Sequence, residues 1–350
     1  MALNSDASNV GRVNGRGGDE RTVVAVVYNP VRVDVPRVRA AVEAAAAAAE
    51  VERHPEGIEL LWFATTLEDG GQAQVRAALD RGASLVLAAG GDGTVRAVAE
   101  ALRDSDAALG LIPAGTGNLL ARNLGVPFTS VESACAVAFA GETRRIDLGI
   151  ATAHRPDGAS TEYAFLVMAG VGIDAAMIAG ARPELKRRFG WLAYVDAAFR
   201  ALPTSSKVRI RFRLDGGHER SAHVSTILVA NCGALPGNME LIPDAAIDDG
   251  LLDVAILQPA TVFGWLAIWR KMTWENRVLR KSALGRRIIR FTDRAVRTRL
   301  SYLRGASVQL AVDAPEPFEL DGDAFGEIVA LDLRVDERAL LVRAPALPER

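Results

Sequence analysis

Apolar positions follow two rhythms along the chain. From Val23 to about residue 125, uninterrupted apolar runs alternate with stretches of helical spacing. Val23-Val24-Ala25-Val26-Val27, Ile58-Glu59-Leu60-Leu61-Trp62-Phe63, Leu85-Val86-Leu87-Ala88-Ala89 and Leu109-Gly110-Leu111-Ile112 have the length and flanks of buried strands. Between them, VPRVRAAVEAAAAAAEVE has high helix propensity, Gln72 to Arg81 makes another helix, and Val95, Val98, Ala99 and Leu102 recur at helical spacing. Strand and helix in alternation predict a doubly wound parallel sheet with ligand loops at its strand C-termini. After Arg145-Ile146-Asp147-Leu148-Gly149 the period changes. Tyr163 to Ala169, Lys207 to Leu214, Val224 to Ala230 and Leu252 to Leu257 read as strands, and SVQLAVD, PFELDGD, IVALDLRVD and ALLVRAP as four more. The expected organisation is a flexible tail over residues 1–20, an α/β domain over 21–148 and a β-rich domain over 149–345. A helix is expected at about 184–202 and a basic helical insertion at about 260–304.

Composition narrows the function classes. With 350 residues, 49% hydrophobic and a net charge of −2, neither disorder nor wholesale nucleic-acid binding is indicated. Cys135 and Cys232 share no motif, which fits free thiols in a reducing compartment. The four histidines form no zinc-ligand pair. The longest apolar window, Thr261 to Trp269, is far short of the roughly twenty residues a membrane-spanning helix needs. Residues 1–20 lack an apolar signal region. Charge is distributed unevenly, however. From Arg270 to Arg304 twelve Lys/Arg stand against Glu275 and Asp293, and Lys186, Arg187 and Arg188 adjoin Phe189, Trp191 and Tyr194. Basic residues interleaved with aromatics suit the headgroup region of an anionic membrane. A solvated helical face is the alternative, with nucleic acid a third reading.

The candidate chemistry begins where the third apolar run ends in Gly90-Gly91-Asp92-Gly93-Thr94. Three glycines in four residues let the backbone approach a ligand and aim several N–H groups at one point, and the following helix adds its N-terminus. The fourth run opens likewise into Pro113-Ala114-Gly115-Thr116-Gly117-Asn118. Either loop alone could be an ordinary strand-to-helix turn. An acid among phosphates is unfavourable without a cation between them, so Asp92 reads as a magnesium organiser, or else as an Asp bonding its own turn. Phe318-Glu319-Leu320-Asp321-Gly322-Asp323 reads as a strand running into a hairpin turn.

GGDGT followed by PxGTxN resembles the diacylglycerol kinase catalytic family, which includes bacterial lipid kinases and sphingosine kinases and is related to NAD kinases. Gly170-Val171-Gly172-Ile173-Asp174-Ala175, Asn231-Cys232-Gly233 and the late Asp-Gly-Asp fall in the family's order along nearly the whole chain. The resemblance implies an α/β nucleotide-binding domain followed by a β-sandwich-like domain, with the site between them and completed by closure. It implies an ATP-dependent kinase that phosphorylates a lipid hydroxyl, that of diacylglycerol foremost, on the inner face of the cytoplasmic membrane; a homodimer is left open. ATP would be held by Asn29, Gly90, Gly91, Asp92, Gly93, Thr94, Gly115, Thr116, Asn118 and Asp323, with Mg2+ served by Asp92 and Asp323 and with Asp321 as general base. Ile242 to Asp253 looks like the family's P-x-A-x-x-x-D-G-x-L-D signature, implying a second, structural Mg2+ or Ca2+ at Asp249 with Ala246 and Leu251; an unmetallated turn is the alternative. Two departures stand out: Val31-Arg32-Val33 follow Asn29-Pro30 where many relatives have a small residue and glycine, and Leu119 replaces the acid of GTxND. A soluble-substrate kinase of the NAD kinase type and a catalytically silent nucleotide or lipid binder remain as alternatives.

Overall fold

The computed structural model describes residues 21–172, 208–235, 239–240, 242, 245–258 and 300–346. The expected tail over 1–20, the helix expected near 184–202, the Ile173-Asp174-Ala175 end of its motif and the basic stretch from 259 to 299 lie outside them. The first half runs β1 (Thr22–Tyr28), α1 (Val35–Glu52), β2 (Ile58–Ala64), α2 (Gln72–Asp80), β3 (Ala83–Gly90), α3 (Asp92–Leu102), β4 (Ala108–Pro113), α4 (Leu119–Leu124) and α5 (Val131–Ala140). The strands lie in the order β2-β1-β3-β4, all parallel. Alternate residues of β1 explain why the runs are continuously apolar. Val24 and Val26 pack with Val38 and Val42 of α1 and Phe139 of α5. Ala25 and Val27 join the core containing Val75 of α2 and Val98 and Leu102 of α3. Both faces of the sheet are therefore covered, as a doubly wound sheet requires. The chain pairs β2 on one side of β1 and then crosses to place β3 on the other, so the strand order reverses at β1 and β3. Ligand crevices form at the C-terminal ends of such strands.

The second half comprises β5 (Glu142–His154), β6 (Ser160–Phe165), β7 (Met168–Gly172), β8 (Val208–Leu214), β9 (Arg220–Val224), β10 (Thr226–Ala230), β11 (Ala234–Leu235), β12 (Met239–Glu240), β13 (Leu252–Leu257), β14 (Leu300–Gly305), β15 (Ser307–Leu320) and β16 (Asp323–Ala344). Where the sequence reads four C-terminal strand pieces, there are two long strands whose pairing shifts register between Ala311 and Glu316 and again between Pro317 and Glu319. β15 pairs β8 in its first half and β7 in its last residues, so one bent strand serves two parts of the sandwich-like unit. Residues 300–304, expected as the end of a helical insertion, lie in β14, paired antiparallel with β13. Tyr163 to Ala169, expected as one strand, breaks at Leu166-Val167 into β6 and β7.

β16 unites the halves. It starts at the hairpin after Gly322, pairs β15 and then β5, and ends beside β4 with Leu341 opposite Ala108 in parallel. Residue 148 lies within β5, in a sheet that continues from one half to the other. Among the described residues, no helix is long and apolar enough to cross a membrane.

Candidate active site

The two glycine loops meet backbone to backbone. Gly90 closes β3, Gly91 is the N-cap of α3, and Asp92, Gly93 and Thr94 form its first turn, whose N–H groups precede any intrahelical acceptor. Ala114 N–H donates to the Gly90 carbonyl at 2.8 Å. A methyl group on Gly115 would sit 2.8 Å from Gly91 Cα, and one on Gly90 would meet the Thr94 hydroxyl at 2.6 Å. A side chain on Gly115 would push the two loops apart, and one on Gly90 would displace Thr94 within its own turn. Thr94 is buried against Gly90, and Thr116 is exposed in the second loop. Asn29 follows β1 at the same edge; its N–H donates to Ala89 O at 2.9 Å and its Oδ1 accepts from Val31 N–H at 3.0 Å. The departing Val31 is exposed.

Asp92 bonds the other loop, not its own turn. Its Oδ2 accepts from Asn118 N–H at 3.1 Å and its Oδ1 from Leu119 N–H at 2.6 Å. Asn118 takes a left-handed backbone with φ 47° and turns its Oδ1 back to accept from Gly115 N–H at 3.0 Å. Leu119, the departure noted after Asn118, is buried in the α/β core. Burial, together with the Asp321 and Asp323 carboxylates, raises Asp92 from 3.8 to about 6, against the pull of the two N–H bonds. A small cavity beneath the loops is lined by Gly91, Asp92, Val95, Leu111, Pro113, Asn118, Leu120 and Ala121.

The β15–β16 hairpin brings the other acids. Asp321 and Gly322 both have positive φ, 51° and 84°, as a two-residue hairpin with a primed turn demands. Asp321 is buried, and the break between β6 and β7 provides three amides for it. Leu166 N–H donates to Oδ2 at 2.9 Å; Val167 and Met168 N–H donate to Oδ1 at 2.8 and 3.1 Å. Burial still raises the carboxyl above its usual range, opposed by the Arg96 charge and these three bonds. Of about four lone-pair sites on a carboxylate, three are filled and one on Oδ2 remains. Buried Glu319 accepts from Gly322 N–H at 2.8 Å. Asp323 reaches the first turn of α3, where a methyl group on Gly93 would lie 2.9 Å from its Oδ2.

Arg96, which the sequence reading passed over, ties the halves together. From the second turn of α3 it donates to Leu320 O at 2.9 Å and to Asp323 Oδ2 at 3.2 Å, with its guanidinium 4.6 Å from the centre of the Phe325 ring. At the far end of α3, Arg103 bonds Asp336 Oδ2 at 2.6 Å and Glu162 Oε1 at 3.1 Å. Nothing in the sequence marks either arginine beyond a basic residue on an amphipathic helix.

An oxygen-ligated divalent ion fits the Asp92–Asp323 side. The Asp321 and Asp323 carboxylates add to the burial that raises Asp92, and the side-chain donors of these acids are oxygens. Among the described residues no cluster of three or more Asp, Glu, His or Cys could cage a metal alone. Magnesium, which uses one or two carboxylates together with phosphate and water, would be held by Asp92 and Asp323. At Asp249 the fit fails. Its Oδ1 accepts from Leu251 N–H at 3.1 Å and its Oδ2 lies 3.5 Å from Arg304 Nη1. Arg304 also forks onto Asp253 at 3.0 and 3.1 Å. The turn holding Ala246 and Leu251 is fixed besides by buried Asp147, which accepts from Gly250 N–H at 2.7 Å. The Arg304 guanidinium thus supplies the positive charge beside both the Asp249 and Asp253 carboxylates.

Residues 25–151 match the diacylglycerol kinase catalytic domain, and residues 167–343 match the YegS C-terminal NAD kinase beta sandwich-like domain. A Pseudomonas fluorescens protein named "probable lipid kinase YegS-like" is 35% identical over 68% of this chain and 73% of its own length. Diacylglycerol kinase of Bacillus subtilis is 29% identical over 61% of this chain and 67% of its own. Matches with such curated relatives span between 55% and 73% of the relatives' length. The crystal structure of a diacylglycerol kinase from Bacillus anthracis shares the fold, with a TM-score of 0.63, 17% identity, and 93% of this chain and 97% of that one covered.

Proposed function

Since the chain belongs to the diacylglycerol kinase catalytic-domain family, with the YegS-type sandwich as its second half, we propose that it transfers the γ-phosphoryl group of ATP to a lipid hydroxyl, with diacylglycerol as the acceptor and phosphatidic acid as the product. The observation that carries this reading is the docking of the Asp321–Asp323 hairpin on the first turn of α3, which sets a buried carboxylate beside two glycine loops. Phosphoryl transfer asks a protein mainly for positioning and charge stabilisation. The N–H groups of Asp92, Gly93 and Thr94, with Asn29, Gly115, Thr116 and Asn118 around them, bind and orient the nucleotide phosphates. Asp92 and Asp323 would hold Mg2+, which when bound neutralises phosphate charge. Asp321 accepts the proton of the lipid hydroxyl at the remaining Oδ2 lone pair, while its three amide bonds fix its direction. Burial keeps water from that oxygen and limits hydrolysis of ATP. The lipid approaches from the β-rich half, with the basic and aromatic stretches resting on an anionic membrane surface.

The test is phosphorylation from labelled ATP with dispersed diacylglycerol or NAD as acceptor. Label in phosphatidic acid is expected, with Asp321→Asn lowering turnover by about 10²–10⁴ while nucleotide binding persists. Label in NAD alone, or unchanged turnover in the variant, would overturn the reading.

A further inference from the structure

Among the described residues around the hairpin, Arg96 is a cation that touches a proposed metal carboxylate. Its side chain is 12% exposed, and its two N–H contacts differ in kind. The contact to the Leu320 carbonyl holds the residue just before Asp321 and involves no charge on the acceptor. The contact to Asp323 Oδ2 is ionic and occupies one of the two oxygens that a divalent ion could use. Phe325, stacked beneath the guanidinium, fixes its plane without using an N–H. Arg96 also follows Asp92 by four residues, so both project from one face of α3. One of its contacts can therefore be exchanged while the other two keep the side chain in place.

We propose that Arg96 is a positioning residue that substitutes for the metal at Asp323: it holds the hairpin on α3 before nucleotide binds, yields Asp323 Oδ2 to the incoming metal–nucleotide, and then offers the released N–H to a phosphate oxygen. The inference rests on the reading of Asp323 as a metal carboxylate. It deepens that reading by making the ion's arrival a competition with an internal cation. The exchange involves no covalent step; one ionic hydrogen bond is replaced by a metal–carboxylate contact and one N–H–phosphate bond.

A purely architectural arginine would not affect metal affinity in the direction expected here. Removing the competing charge should tighten metal binding although the same change slows transfer. The probe is Mn2+ in the presence of a non-hydrolysable ATP analogue, with free Mn2+ read by electron paramagnetic resonance, for wild type, Arg96→Met, Arg96→Gln and Arg96→Lys. Arg96→Met and Arg96→Gln should bind Mn2+ about three- to tenfold more tightly, whereas Arg96→Lys, which retains the charge, should stay within about threefold of wild type. In the phosphorylation assay the two neutral variants should lose kcat by about tenfold to a hundredfold, with KM for ATP little changed. Unchanged or weaker Mn2+ binding in both neutral variants would overturn the exchange. Should Arg96→Met fail to fold, Arg96→Gln, whose amide can still donate to Leu320 O, decides on the same scale. Failure of the lipid-kinase reading would show separately, as wild-type protein that binds Mn2+ with nucleotide but labels no lipid.

Discussion

At Asp92 the fold sets two demands against each other. The carboxylate joins the two glycine loops through Asn118 and Leu119 N–H, yet it does so in a half-buried place beside Asp321 and Asp323. Its rise to about 6 means that the folded protein binds this proton more tightly than the unfolded chain does. Stability must then fall as pH rises from about 4 to about 6 and level off above, with Asp92 accounting for about 3 kcal/mol of the change. Urea unfolding of wild type and Asp92→Asn without metal, at pH 4 and pH 7.5, checks this. The stability of wild type relative to the variant should drop by about 2–3 kcal/mol between the two values; a constant difference would mean that Asp92 ionises normally. Bound metal and nucleotide should abolish the drop by giving the charge a partner.

Among the elements, the β13–β14 pair shows how one ionic contact can replace another. Asp253 and Arg304 are direct cross-strand partners, and the same guanidinium reaches Asp249 on the preceding turn. Arg304→Met should therefore lower stability by about 2 kcal/mol, since it leaves the Asp253 carboxylate mostly buried without its bidentate partner. Thermal melts should show the variant, but not the wild type, gaining stability from millimolar Ca2+. A wild-type melting temperature that rises with Ca2+ and falls with chelator would restore the ion to Asp249. These elements also show what a linear reading can and cannot reach. β1, β3 and β4 are legible because burial on both faces leaves uninterrupted apolar runs. β15 and β16 read as fragments because polar and proline residues gather where Ala311 to Pro317 change partners. Residue types suffice to nominate Asp92, Asp321 and Asp323. Nothing in those types says that Asp92 would bond the neighbouring loop, or that the amides of Leu166, Val167 and Met168 would turn toward Asp321; that depends on a strand break between residues some 150 positions away.

For the molecule as a whole, α3 changes the expected mechanics. Arg96 at one end and Arg103 at the other bind it to the β-rich half, and Asp104 N–H donates to Ala339 O at 3.0 Å just beyond. The Asp321–Asp323 hairpin therefore already lies on the first turns of α3, without closure of one half on the other. Of the twelve basic residues between Arg270 and Arg304, Arg304 is committed to Asp249 and Asp253, so the proposed membrane contact is tested on the others. Reversing the charge of Arg286, Arg287 and Arg290 together should weaken sedimentation with anionic vesicles at low salt by about tenfold or more, at about 1 kcal/mol for each basic residue near the surface. Unchanged binding would remove the membrane from the picture.

The course of β16 bears on how the protein is made. Both glycine loops leave the ribosome some two hundred residues before Asp321, and β4 pairs on its outer side with Leu341 and Val342. Throughout that interval the nascent α/β half has an unsatisfied row of N–H and C=O groups along β4, the kind of edge that recruits foreign strands. The strand that finally covers this edge begins at the acid-bearing hairpin. Capping the first half and delivering Asp321 and Asp323 are thus one event in the life of the chain, and until it happens the glycine loops stand without the acids that meet them in the folded protein.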